Sequence, residues 1–324
     1  MVLSDTFIYK MNEWGKNKIP FLFILDFNLN APLVFPMHDI PSYIWFNIRG
    51  VKKESTYNTI VNSEFTFDKL PISMEKYTNS FHLVQSYLHR GDSYLLNLTF
   101  PTEIETNLTL GEIYQRCHSP YKLFIDDKFV CFSPETFVTI RDGIISSFPM
   151  KGTIDASVFN AKEQILNDPK ELAEHSTIVD LIRNDLSKVS NHVKVSRFRY
   201  IDKIKTNEGE ILQVSSEISG TLDSDYSSRI GTILREMLPA GSITGAPKEK
   251  TVQIIKEAEL IPRGLYTGIF GYFDGKNMDS AVMIRCIEKK SQKLYFYSGG
   301  GITAQSRLVD EYQELIQKVY VPIN

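Results

Sequence analysis

The stretch from Phe137 to Thr153 constrains this chain more than any other. Two runs rich in β-branched and aromatic residues, Phe137–Arg141 and Ile144–Phe148, flank Arg141-Asp142-Gly143, a turn that folds them onto each other as a hairpin. Pro149 has no N–H to give to a sheet and Gly152 loosens the exit. The pattern therefore predicts that pairing stops at Phe148 and that Lys151 stands in a loop between a strand and a helix. A loop lysine is ordinarily a solvated surface cation, because loops lie at the surface. An amine delivered from a sheet end is also a candidate nucleophile.

The rest of the chain supplies the surroundings. Strands are expected at Pro20–Phe27, Tyr43–Ile48, Tyr94–Phe100, Leu123–Ile125, Phe129–Phe132, Val193–Val195, Tyr200–Ile204, Ile211–Gly220, Tyr266–Asp274, Ala281–Glu288 and Lys293–Ser298. From Ser73, an N-cap, to Arg90 the apolar positions Met74, Tyr77, Phe81, Val84, Tyr87 and Leu88 keep a helical spacing, and Gly91 ends it. Further helices are expected at Leu110–Cys117, Val158–Leu166, Glu171–Asn184, Ser227–Met237, Pro247–Leu260 and Val309–Val319. Long strands joined by hairpins, with helices between them, make an α+β fold. With 324 residues, 42% of them hydrophobic, the chain can build one large core or two ordinary ones.

Composition excludes several classes of partner. The 36 basic and 39 acidic residues leave a net charge of −3, which gives no field for nucleic acid or an anionic membrane. Cys117, Cys131 and Cys286 are odd in number and outside any Cys-x-x-Cys, the usage of a reducing compartment, so a cytoplasmic protein is expected. The longest apolar run near the N-terminus, Ile19–Leu25, is too short to span a bilayer, and neither export nor anchoring is expected.

Three further features carry chemistry. Pro239-Ala-Gly-Ser-Ile-Thr-Gly-Ala-Pro-Lys248 is a small-residue loop opening onto a helix with Pro247 at its first position. Such a place attracts an anion or serves as a plain structural turn. It lacks the spacing of a Walker A loop. Gly299-Gly300-Gly301 ends a strand, and its missing side chains would let backbone donors approach a ligand. In the last helix Leu308, Tyr312, Leu315, Ile316 and Val319 form one stripe, with Glu311, Glu314 and Lys318 along its border. Those carboxylates form either a salt-bridged boundary with Lys318 or a hard-cation site, to which Glu174 could add a third. The six histidines show no zinc-like pairing, and oxygen ligands point to magnesium.

Taken in order, Ser133-Pro-Glu135, Pro149-Met-Lys-Gly-Thr153, Ile178-Val-Asp-Leu-Ile-Arg-Asn-Asp185, Gly241-Ser-Ile-Thr-Gly-Ala-Pro-Lys248, Gly271-Tyr272, Asn277-Met-Asp279, Ile284-Arg285, Gly299-Gly-Gly-Ile302 and Glu311-Tyr-Gln-Glu314 resemble the motifs of the chorismate-utilising enzymes. The resemblance implies a single α/β/β/α unit over 1–324, two mainly antiparallel sheets packed face to face with helices outside. Residues 1–75 would be a short sheet-bearing portion and 76–324 would carry the catalytic motifs. It also implies chorismate as substrate and Mg2+ as cofactor. Lys151 stands where anthranilate synthases resemble one another in carrying alanine, which favours the aminodeoxychorismate synthase branch. Anthranilate synthase component I and a non-catalytic relative are the alternatives. Leu95 matches the position of the water-activating lysine in the hydroxylating branch, and Gln213 a position at which anthranilate synthases tend to have histidine.

By the same resemblance Lys151 would be the nucleophile and Glu135 the general acid-base. Glu174, Glu311 and Glu314 would hold the metal. Gly241, Ser242, Thr244, Tyr266, Arg285, Gly299, Gly300, Gly301 and Lys318 would bind substrate. The cysteines sit in Arg-Cys-His, Val-Cys-Phe and Arg-Cys-Ile, none of them a glycine-bounded nucleophile elbow. Ammonia would then come from a separate glutamine amidotransferase subunit, and the product would pass to a separate lyase.

Overall fold

The computed structural model describes residues 5–54, 64–206, 209–259 and 261–323. The chain divides into two compact units of three segments each: Met1–Leu22, Glu135–Ser242 and Gly271–Ser280 in one, and Phe23–Pro134, Ile243–Phe270 and Ala281–Asn324 in the other. Two nine-stranded, mainly antiparallel sheets and their helices give the expected α+β class. Among the described residues no helix is long and apolar enough to cross a membrane.

The first sheet has the order Met150–Asp155, Gly209–Thr221, Ile144–Ser147, Thr136–Arg141, Met278–Val282, Ile269–Phe273, Phe21–Leu25, Leu33–Pro36, with Asn191–Thr206 also paired to Gly209–Thr221. The expected hairpin is present, with Ile145 opposite Ile140 and its turn at Asp142 (φ 50) and Gly143 (φ 79). The strand ends at Ser147, and Phe148 and Pro149 lie between strands as expected, but pairing resumes at once. Pro149 keeps its carbonyl, which accepts the Ser216 N–H at 3.0 Å, and the chain continues as a strand that carries Lys151. The runs expected separately at Val193–Val195 and Tyr200–Ile204 are one strand, bulged where the register shifts, because a long partner supplies ladder bonds throughout. In the same unit, an N-terminal helix, Asp5–Lys16, packs on Ile230–Met237, where Asn12 accepts the Gly231 N–H at 2.8 Å. A Cβ at Gly231 would stand 2.7 Å from the Ile8 carbonyl oxygen, so that crossing needs glycine.

The second sheet has the order Gly245–Ala246, Leu95–Thr106, Lys293–Ile302, Cys286–Lys290, Phe129–Ser133, Tyr121–Ile125, Ile44–Ile48, Val51–Lys53, with Phe67–Leu70 also paired to Leu95–Thr106. Ser73 caps Met74–His89 through the Lys76 N–H, as its sequence requires. Tyr77, Phe81, Val84 and Leu88 from that helix meet Leu96, Leu98 and Phe100 from the sheet, Ile254 and Ile255 from Lys248–Ala258, and Leu315 from Leu308–Gln317. Burial at roughly 2 kcal/mol per large apolar side chain makes this cluster the main support of those helices. The expected Ala281–Glu288 strand is two strands, broken where Arg285 adopts φ 54. The Lys248–Ala258 helix has Pro247 as its N-cap and not its first residue; Leu260 lies outside the described residues.

One buried ion pair ties this unit together. Arg263 and Glu259, 2% and 5% exposed, form a two-bond pair in which Nη2 and Nε donate to the two carboxylate oxygens at 2.6 and 2.9 Å. Arg263 also donates to the carbonyls of Asn97 (2.7 Å) and Ile243 (2.9 Å), while Glu259 accepts the Thr99 N–H at 2.9 Å. Arg263→Met is expected to strand a buried carboxylate and cost about 3–5 kcal/mol, whereas Arg263→Met with Glu259→Leu recovers part of that loss. Denaturant midpoints of the two variants check this; equal midpoints would mean that the carboxylate is not the source of the cost.

Candidate functional site

In the first unit the site is built around a bulge. Between the register pairs Met150–Ser215 and Thr153–Gln213 the ladder shifts, so Lys151 and Gly152 (φ 91) stand out of register. This corrects the loop expected at Lys151: the amine is presented from a strand, through an irregularity that a period-two pattern cannot reveal. Its Nζ lies 2.8 Å from Oε2 of Glu174 on the Pro169–Ser187 helix, and Lys170 approaches the other oxygen at 3.8 Å. Asp168 caps that helix by accepting the Lys170 and Glu171 N–H groups, which fixes the turn from which both glutamates project.

Glu171 sits over the bulge, with its Oε2 only 2.8 Å from where a Gly152 Cβ would stand, so a side chain there would collide with the carboxylate. That oxygen is buried without a hydrogen-bond partner. Glu135 lies at the end of the Phe129–Ser133 strand region and accepts a hydrogen bond from Ser242 Oγ at 2.7 Å. The two residues line a cleft with Pro149, Asp185, Ala240 and Gly241. Gly241 is required here, since its Cβ would meet Asp185 Oδ2 at 2.9 Å. Lys151, Glu174, Glu135, Gly241 and Ser242 thus belong to one unit.

The other candidates belong to the second unit. Gly299, Gly300 and Gly301 do not end a strand, as expected, but lie inside Lys293–Ile302, paired with Thr99, Leu98 and Asn97. Each is tight: a Cβ on Gly299 would reach Thr99 Oγ1 at 2.4 Å, and one on Gly301 would reach Leu95 Cδ1 at 3.1 Å. A Cβ on Gly300 would meet Glu311 Oε2 at 3.2 Å and Glu314 Oε1 at 3.6 Å, so both carboxylates converge above this bare backbone. Glu314 also pairs with Lys318 at 2.6 Å, and Lys318 donates to the Gly299 carbonyl at 2.8 Å. Glu311, 7% exposed, accepts from Ser306 Oγ at 2.7 Å. The salt-bridged boundary is therefore present for Glu314, and the two converging oxygens above a glycine are also a donor set that fits a hard divalent cation. Among the described residues no group of three or more His, Cys, Asp or Glu is placed to hold a metal.

Thr244 is buried, and its carbonyl accepts the Asn97 N–H at 3.0 Å; the next residues, Gly245 and Ala246, form a short strand against Leu96 and Leu95. That pairing replaces the open loop expected from the sequence. Tyr266 stacks on Tyr297 with ring centroids 5.3 Å apart, and burial pushes its hydroxyl up to about 12, so it stays a neutral donor. Arg285 stands between two strands over the Tyr320 ring at 5.1 Å, and its Nε is buried without a hydrogen-bond partner. Sequence reasoning missed Glu171, although its i, i+3 spacing from Glu174 places both on one helix face. It also missed the Glu259–Arg263 pair, whose i, i+4 spacing was the available signal.

Burial, the largest cause, pushes the Glu171 carboxyl above its ordinary range, while Lys151 opposes the shift and Glu174 and Asp168 add to it. A raised folded value means that the folded chain binds this proton more tightly than the unfolded chain. Its contribution to stability is full below the ordinary carboxylate range and is lost as pH rises through the raised value. Glu171→Gln stays neutral at every pH, so its melting temperature relative to the native chain is expected to climb between about pH 4 and pH 7. A difference that stays flat across this range removes the buried-acid account.

The family model for the chorismate binding enzyme matches residues 46–324. An uncharacterised PabA-like protein of Pasteurella multocida (strain Pm70) is 53% identical over 318 residues, 98% of this chain and 98% of that protein. Aminodeoxychorismate synthase component 1 of Klebsiella aerogenes is 34% identical over 264 residues, 76% of this chain and 57% of the synthase. Anthranilate synthase component I from Streptococcus pneumoniae TIGR4 superposes with a TM-score of 0.68 at 27% identity, covering 81% of this chain and 60% of that structure. The chain thus spans little more than half the length of these two synthases.

Proposed function

The chain belongs to the chorismate-binding enzyme family, and from that premise we propose that it is an aminodeoxychorismate synthase component I, making 4-amino-4-deoxychorismate from chorismate and ammonia through a lysine-bound intermediate. The observation that carries this reading is the Lys151 amine, presented from a sheet bulge at 2.8 Å from a glutamate. Leu95, whose Cδ1 lies against Gly301, supports it from the other side, because a leucine there offers no base to activate water.

Attack needs the free amine, so Lys151 must first release the proton that its pairing with Glu174 favours. Nζ then bonds to C2 of chorismate while both ring double bonds shift in relay, C1=C2 to C1=C6 and C5=C6 to C4=C5, and the C4–O bond breaks. Glu135 gives its proton to the departing hydroxyl, which leaves as water, and recovers one from the nitrogen that has just bonded. Ammonia next bonds to C4, both double bonds shift back, and the C2–N bond breaks. The proton shed by the incoming nitrogen goes to the leaving lysine. Net, chorismate and ammonia give the 4-amino product and water. Ser242 orients the Glu135 carboxyl, and the Gly299–Gly301 backbone, Thr244, Tyr266, Arg285 and Lys318 are assigned to the substrate's carboxylates and ring. Mg2+, which Glu311 and Glu314 would hold, would neutralise a carboxylate of the substrate. Ammonia is assigned to a separate glutamine amidotransferase subunit and pyruvate release to a separate lyase, in a cytoplasmic route to 4-aminobenzoate and folate.

Incubation with chorismate, Mg2+ and ammonium at alkaline pH is expected to give the 4-amino product, whereas glutamine alone gives none. Anthranilate with pyruvate in place of the 4-amino product, followed by chromatography and mass spectrometry, would falsify the assignment. Lys151→Ala is expected to fold normally, to lose about 100-fold or more of 4-amino product, and to shift the residue of turnover toward the 2-amino isomer. An Ala variant that makes the 4-amino product at the native rate ends the covalent role of Lys151. Glu314→Gln is expected to raise the Mg2+ concentration needed for half-maximal activity at least about tenfold; an unchanged Mg2+ titration leaves Glu314 as the partner of Lys318 alone.

A further inference from the structure

The bulge that carries Lys151 is braced by side chains from two other elements of the same unit. His175 Nδ1 lies 3.4 Å from the Lys151 carbonyl, and Gln213 Nε2 lies 3.2 Å from the Gly152 carbonyl. His175 is 1% exposed, so its ring is held in place by these buried contacts. Its tautomer follows from its neighbours. Ser216 Oγ accepts the Arg199 backbone N–H at 2.9 Å and lies 2.7 Å from His175 Nε2. A carbonyl can only accept, so the hydrogen of the Lys151 contact is carried by Nδ1 and points at the Lys151 oxygen.

We infer that His175 and Gln213 are positioning residues that hold the bulge open, and that the aim of the Lys151 amine depends on them; this rests on Lys151 being the nucleophile. The physical reason is the alternation of side chains along a strand. Were the bulge to relax into regular pairing, the register would slip by one residue and Lys151 would turn to the opposite face, away from Glu174. Glycine at position 152, with φ 91, permits the bulge but does not enforce it. The two carbonyl contacts supply that enforcement, one from the Pro169–Ser187 helix and one from the neighbouring Gly209–Thr221 strand.

Three variants test this. His175→Asn keeps an N–H near the Nδ1 position, His175→Gln moves it away, and Gln213→Glu keeps the shape but removes the donor. In the ligand-free full chain, the rate at which an N-hydroxysuccinimide ester acylates each lysine is read by peptide mass spectrometry. His175→Gln and Gln213→Glu are expected to speed acylation of Lys151 about threefold relative to Lys162 and Lys188, as its hold on Glu174 loosens, while His175→Asn stays near the native rate. With chorismate and ammonium, the first two variants are expected to lower kcat for the 4-amino product about tenfold with KM for chorismate little changed. Selective labelling of Lys151 with rescue by Asn supports the inference. Native Lys151 labelling in a folded Gln213→Glu chain, or acceleration of all three lysines alike, overturns it. Absence of any 4-amino product from the native chain would overturn the functional reading instead, and the labelling result still decides the bracing role.

Discussion

The second unit depends on a salt bridge that water cannot reach. Arg263 and Glu259 lose their hydration on folding, a cost of several kcal/mol per ion that attraction repays only when every donor is used. Here the fork is used fully, on the carboxylate, on two backbone carbonyls and on the Thr267 hydroxyl. Those carbonyls belong to Asn97 and Ile243, and the carboxylate binds the Thr99 N–H. The pair therefore clamps both sides of Leu98, the residue opposite Gly300. Any slip of the Leu95–Thr106 strand would break charge-assisted bonds in the interior, so the register of the glycine run is fixed from beneath.

The glycine run shows what that register is for. Its three residues are bare because different neighbours occupy the space of each Cβ: Thr99 at Gly299, the last helix's carboxylates at Gly300, and Leu95 at Gly301. The helix that brings Glu311 and Glu314 is in turn held by burial of Leu315 and by the Lys318 bond to the Gly299 carbonyl. Lys318 offsets one of two carboxylates that would otherwise repel each other above Gly300. Arg285 is aimed by a different device, a left-handed residue between two strands, which frees it from the alternation of either.

In the first unit the same economy is achieved through irregularity. A regular strand would place Lys151 by parity alone, whereas the bulge lets the strand keep its ladder on both sides and still turn one side chain toward the Pro169–Ser187 helix. Glu171 and Glu174 approach from one face of that helix, and Gly152 leaves them room. Burial of Glu171 makes its carboxyl easier to keep protonated, while Glu174 carries the ion pair, so two carboxylates one turn apart are set to different tasks by their surroundings.

Short-range order was legible in the amino-acid sequence by itself. The Ser73 cap, the stripe of the last helix, the Asp142-Gly143 hairpin and the α+β class all follow from spacing and turn chemistry, and the ordered motifs pointed to the family that residues 46–324 match. What lay beyond it were the features set by partners distant along the chain. Lys151 was read as a loop residue because Pro149 ends local alternation, yet Ser215 and Gln213 supply the pairing that makes a bulged strand. Gly299–Gly301 read as a strand end because glycine has no strand preference of its own, yet Asn97–Thr99 keep all three in the ladder. Arg263 and Glu259 carried no local signal beyond their i, i+4 spacing, and only the closing of the chain around them made their pairing obligatory. Local propensity acts over a turn or a hairpin, whereas registers, bulges and buried charges are fixed by cross-strand bonds and desolvation, which exist only once the distant segments have met.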